Sequence, residues 1–124
     1  MPNLFLVMLG GAVGAGARYL TGRAALAWWG PGYPWGTLTV NLLGGFAMGV
    51  LAGNLSRLGG GESWRLLLGV GVLGGFTTFS AFSLEVVQML ERGDWAMALG
   101  YILISVLGAL VALTAGLTLI KAVA

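Results

Sequence analysis

The stretch GGFTTFSAF, Gly74 to Phe82, lies inside an uncharged run from Leu66 to Leu84. A helix crossing a membrane would be expected to continue there without interruption. Gly74 and Gly75 are the weakest helix formers short of proline, and two β-branched residues, Thr77 and Thr78, follow at once. This predicts a break in the middle of the third span. Non-helical backbone at membrane depth survives only when buried in protein or lining a cavity, because its freed carbonyls need partners. Unwound carbonyls in a discontinuous span can hold a cation. The competing arrangement is a tightly packed, unbroken glycine helix with Thr77 and Thr78 bonded back to the preceding turn.

Composition sets the class around this stretch. Of 124 residues, 58% are hydrophobic and 8% charged, and the mean hydropathy is +0.95. No soluble domain of this size tolerates such a surface. Four uncharged stretches, each near the about 20 residues that span the hydrocarbon, occupy nearly the whole chain. We expect an all-α membrane protein forming a single four-span domain over residues 1–124, with spans near 2–27, 34–56, 64–91 and 95–121. The start, MPNLFL, lacks a basic leader region and reads as the beginning of the first span. With no cysteine and no histidine, thiol redox chemistry and imidazole catalysis are excluded. The expectation is that the protein is not an enzyme and has no nucleic-acid partner. Trp28, Trp29, Trp35, Trp64 and Trp95 fall near span ends, as an interfacial aromatic belt would.

Charge is distributed evenly. Four spans put Arg57, Arg65 and Lys121 on one side of the membrane and Arg18, Arg23 and Arg92 on the other. The bias in basic residues that fixes orientation is therefore absent, which predicts insertion both ways. Two inverted copies would give by assembly what many transporters obtain from inverted internal repeats, with a site near the midplane. Glycines recurring every four or eight residues, at 45, 49 and 53, at 10 and 14, and at 100, 108 and 116, form faces that admit another helix closely.

Polar residues inside the spans are the informative ones, since each costs free energy unless it faces protein or water. Asn41 shares a helical face with Thr37, Gly44, Gly45 and Met48, so its amide either donates into a cavity or holds two helices together. After the break, Phe79 and Phe82 stack at a spacing of three, and Thr77, Ser80 and Ser83 form a hydroxyl ladder. Ring edges are positive and hydroxyls donate, so these groups describe a narrow path for a small, strongly hydrated anion. Equally, bulky phenylalanines are commonly core or lipid-facing residues. Arg18 either forms a positive vestibule or anchors a span end. Glu85, the acid nearest a span interior, pairs with Arg18 or Arg92 or faces water. A proton-coupled multidrug exporter of this size would need a carboxylate in the first span, where there is none.

Three long motifs in order, GGAVGAGARY at Gly10 to Tyr19, GTLTVNLLGGFAMG at Gly36 to Gly49 and GGFTTFSAFSLE at Gly74 to Glu85, make the chain resemble the Fluc (CrcB) fluoride channel family over essentially its full length. The resemblance implies passive, fluoride-selective export from the cytoplasm through an antiparallel, dual-topology homodimer in the lipid of the bacterial inner membrane. It implies a structural sodium ion at the dimer centre, held by the backbone carbonyls of Gly74 and Thr77. It implies that Phe79 and Phe82 are the aromatic gate, that Asn41 coordinates fluoride, that Ser80 and Ser83 line the polar track, and that Arg18 is the vestibule arginine. Tyr101 and Ser105 suit the family's polar positions in the fourth span. Two positions depart: Ala81 stands where threonine is common, and Ala109 offers no hydroxyl one turn beyond Ser105.

Overall fold

The computed structural model describes residues 2–59 and 61–123. Those residues form four helical passes, each long and apolar enough to cross a membrane. The first helix is Pro2–Trp29, the second Trp35–Leu58 and the fourth Trp95–Ala122. The third pass, Glu62–Glu91, is composite: a turn at Glu62–Trp64, a π-helical run at Arg65–Leu73, a further turn at Gly74–Phe76, and a regular helix at Phe79–Glu91. The helices run one to two residues beyond the spans expected from the uncharged stretches, carrying Trp29, Leu58 and Glu62 into regular structure. The connections are short because glycines reverse the chain. Gly30 (φ 76°) and Gly93 (φ 83°) adopt the left-handed conformation that L side chains rarely occupy.

The third pass does break, at Thr77 (φ −88°, ψ 159°) and Thr78 (φ −150°, ψ 119°), both extended. The two glycines are not where it breaks. Gly74 and Gly75 remain helical, and Gly75 serves close packing: a Cβ there would sit 2.7 Å from the Gly11 carbonyl oxygen. Low helix propensity thus marked the right neighbourhood for the wrong reason, since tertiary packing overrides it. Upstream, i+5 hydrogen bonding widens the helix, and the Gly74 N–H reaches the Gly69 oxygen. Such widened turns are frequent at functional sites.

Glycines decide which helices touch. Gly10 and Gly14 bring the first helix against the backbone of Leu67, Gly71 and Val72 in the third pass. Gly45, Gly49 and Gly53 bring the second helix against Ala109, Leu113 and Ile120 of the fourth, and Gly116 returns the contact on Phe46 and Val50. The four-residue glycine spacing is therefore used within the chain, as small-residue seams are in membranes, where dispersion contacts replace the hydrophobic drive. At one end of this bundle Leu38, Phe82, Met89, Ala98 and Tyr101 form the buried core. Ring contacts run continuously from the Trp28–Trp29 pair through Trp35, Tyr33, Tyr101 and Phe82 to Phe79, with centroids 4.8–6.1 Å apart. Most other large apolar side chains face outward, as a lipid solvent requires.

Candidate functional site

The break is held by side chains. Asn41 grips residue 78 at both ends: its Oδ1 accepts from the Thr78 N–H (2.8 Å), and its Nδ2 donates to the Thr78 carbonyl (3.0 Å). The Thr78 hydroxyl caps the following helix by accepting from the Ala81 N–H (3.1 Å). Arg18 Nε donates to the Gly75 carbonyl (3.1 Å). The Thr77 hydroxyl turns back to the Leu73 carbonyl (2.9 Å). Asn41 thus bridges two helices, and it lines the adjoining cleft as well. A primary amide carries two N–H groups, and one of them is free of any protein acceptor among the described residues.

These bonds bear on the Gly74 and Thr77 carbonyls. In a continuing helix Gly74 O would accept from Thr78 N–H and Thr77 O from Ala81 N–H. Both donors have gone elsewhere, to Asn41 Oδ1 and Thr78 Oγ1, so each carbonyl is left without its helical donor. Neutral oxygen donors of this kind suit a hard cation. Among the described residues no three His, Cys, Asp or Glu side chains gather to hold a metal. The donor set therefore fits the backbone-carbonyl ion site that the motif implies.

Beside the break lies a cleft of about 410 Å³, lined by Asn41, Thr77, Thr78, Phe79, Phe82 and Ser105 among others. It unites residues from three helices. Phe82 is buried (8% exposed) while Phe79 is 77% exposed, and their rings are tilted with centroids 5.6 Å apart. Ser105 is only 6% exposed, and its hydroxyl has no hydrogen-bond partner. Buried hydroxyls are normally satisfied, and an orphan in a cleft marks a place for a ligand or water. Ser80 and Ser83 stand outside this lining. Ser83 Oγ donates to the Phe79 carbonyl (2.9 Å), and Ser80 Oγ lies 3.4 Å from Thr78 Oγ1. Because Thr77 sits in the extended segment, it does not continue a helical ladder with them.

A second constellation had weaker sequence signals. Glu85 accepts hydrogen bonds from the Thr37 hydroxyl (2.8 Å) and the fully buried Tyr101 hydroxyl (2.7 Å). It pairs with neither arginine: Arg18 serves Gly75, and Arg92 meets Asp94 at 3.3 Å. Glu85 and Thr37 line a cleft of about 390 Å³ that also includes Gln88 and Arg92. Tyr101 does not line the main cleft; its ring packs at a tilt, 5.2 Å from that of Phe82, which does. Its spacing of four from Ser105 along one helix was the signal available in sequence. Arg18 lines a third cleft of about 280 Å³ with Arg23, Thr37 and Thr78. It is half-buried and bonded to the break.

A family model described as CrcB-like protein, Camphor Resistance (CrcB), matches residues 5–117. This chain belongs to the CrcB family. Among its relatives are proteins named "Fluoride-specific ion channel FluC". The one from Sphingopyxis alaskensis is 58% identical over 98% of this chain and 97% of its own length. That from Phenylobacterium zucineum is 59% identical, covering 99% and 98%, and that from Mesorhizobium japonicum 51% identical, covering 98% of both. Membership of the CrcB family, with four apolar passes, makes this a multi-pass protein of the bacterial inner membrane. The motifs at Gly10 to Tyr19, Gly36 to Gly49 and Gly74 to Glu85 supply the break and much of the glycine seams and the cleft, and the fourth helix completes them with Ser105 and Gly116.

Proposed function

We propose that the chain is a fluoride-selective channel that lets fluoride leave the bacterial cytoplasm passively and so lowers its toxicity, and that it is not an enzyme. The observation that carries this is the cleft where the unpartnered Ser105 hydroxyl, the Asn41 amide and the Phe82 ring meet. It occurs in a chain 51–59% identical, end to end, to relatives bearing the fluoride-channel name.

A small anion must shed strongly bound water to enter such a space, and what replaces that water decides passage. The Ser105 hydroxyl and the second Asn41 N–H supply directed hydrogen bonds, and the phenylalanine ring edges supply positive potential without a fixed charge to trap the ion. Ser80, Ser83 and Tyr101 extend the path from their places on the flanking helices. Arg18, with Arg23 beside it, raises the local anion concentration at the mouth. Acid outside drives the cycle: hydrogen fluoride enters neutral, dissociates, and the trapped anion leaves by the channel.

The working unit in this reading is an antiparallel, dual-topology homodimer surrounded by membrane lipid. What supports it is the equal division of six basic residues between the two sides, and a site that is open in one copy, with Phe79 largely exposed. The Gly74 and Thr77 carbonyls of both copies would hold a structural sodium ion, which would supply fixed positive charge at the break. The first helix has no carboxylate, which removes the proton-coupling group that a multidrug exporter of this size requires. Expression in a bacterium stripped of its own fluoride export tests the reading: growth in fluoride at acid pH should return, and equal sensitivity with and without the gene would refute it.

A further inference from the structure

We propose that Asn41 and Thr78 are positioning residues for the cation at the break, acting by keeping backbone donors off the Gly74 and Thr77 carbonyls. This rests on the reading that the break holds a cation. The carbonyls of Gly75 and Thr78 are engaged, by Arg18 Nε at 3.1 Å and Asn41 Nδ2 at 3.0 Å. Those of Gly74 and Thr77 lose their helical donors, because Thr78 N–H goes to Asn41 Oδ1 at 2.8 Å and Ala81 N–H to Thr78 Oγ1 at 3.1 Å.

A carbonyl without a partner is costly in a membrane interior, so extended backbone alone does not keep two of them unbonded. Given the choice, the Thr78 and Ala81 N–H groups would close on them and complete helical turns. Side-chain acceptors prevent this. They satisfy the donors, leave the oxygens available, and so prepare the site before a cation arrives. Asn41 also lines the anion cleft. One residue then serves both ions, with Oδ1 preparing the cation site and Nδ2 facing the anion path.

The test separates those two roles. Purified protein is dialysed extensively into choline chloride, its retained sodium measured by flame emission, and sodium binding on readdition followed by calorimetry and by the shift of the thermal unfolding midpoint. Asn41→Ala removes the acceptor for Thr78 N–H, and Thr78→Val, nearly isosteric, removes the acceptor for Ala81 N–H. Each is expected to weaken sodium binding roughly tenfold, the order of one lost hydrogen-bond-sized interaction. Asn41→Asp keeps the acceptor and should bind sodium at least as tightly as the wild type. Should Asn41→Ala fail to fold, Thr78→Val and Asn41→Asp decide the matter. Wild-type sodium binding in Asn41→Ala or Thr78→Val would overturn the proposal while sparing the cation reading. A wild-type protein that neither retains nor binds sodium would overturn both.

Discussion

Replacing Ser105 with alanine should make the protein more stable and a worse channel. The hydroxyl is 6% exposed and bonds to nothing in the protein, so in the ligand-free state it carries a desolvation cost of about 1–3 kcal/mol. Alanine removes the oxygen at the loss of very little volume. The net expectation is a gain of about 1 kcal/mol, or a rise of about 3 °C in the unfolding midpoint for a chain of this size. Transport should move the other way. A hydrogen bond to a charged partner contributes about 1.5–3 kcal/mol, so losing it where an anion must shed water slows passage by roughly tenfold or more. The assay pairs thermal unfolding in detergent with fluoride efflux from liposomes, on the same preparation. A variant that is less stable and conducts as before would make the hydroxyl a structural group with a partner and exclude it from the ion path. Stability gained with function lost is the expected mark of a site kept unsatisfied for a ligand.

Three further outcomes follow from the geometry. Gly14→Ala puts a methyl group against the Val72 carbonyl and the Phe76 amide, both backbone and unable to yield; separating these helices should cost about 1–3 kcal/mol or more, read as a lower unfolding midpoint, whereas Gly16→Ala, which meets nothing within 4 Å, should leave it unchanged or raised. Tyr101→Phe removes one of the two hydroxyls that hold Glu85 and should destabilise by about 1.5–3 kcal/mol, with Thr37→Val adding less than its full separate effect because the two act on one carboxylate. Reporter fusions after the fourth helix should be labelled from both sides of the membrane, and placing three lysines in the turn at Glu91 to Asp94 should drive labelling to one side.

Much of this architecture was legible because membranes impose few choices. Hydropathy and tryptophan placement located four passes to within two residues, and glycine spacing announced close helix contacts. It did not say which helices would meet, since the same four-residue period serves contacts within one chain or between two. The break was legible in position but not in cause. Glycine propensity pointed to Gly74 and Gly75, while the extended residues are Thr77 and Thr78, held by Asn41 from 37 residues away in sequence. No local rule carries information over that distance. For the same reason Glu85 could not be matched to Thr37 and Tyr101: charge offered Arg18, Arg92 or water, whereas two neutral hydroxyls satisfy it in the fold. Phe82 was legible from its spacing of three from Phe79, and Ser105 only through the family resemblance. Their convergence on one cleft, with the serine unpartnered, emerged only when the helices were assembled.

Fluoride selectivity is read out by ion efflux from liposomes holding the purified protein, with fluoride and chloride gradients compared and Phe82→Ile measured beside the wild type. Fast fluoride efflux, little chloride efflux, and loss of the fluoride flux in the variant are expected. A folded protein that passes neither ion, or passes both equally, would contradict the fluoride-channel reading.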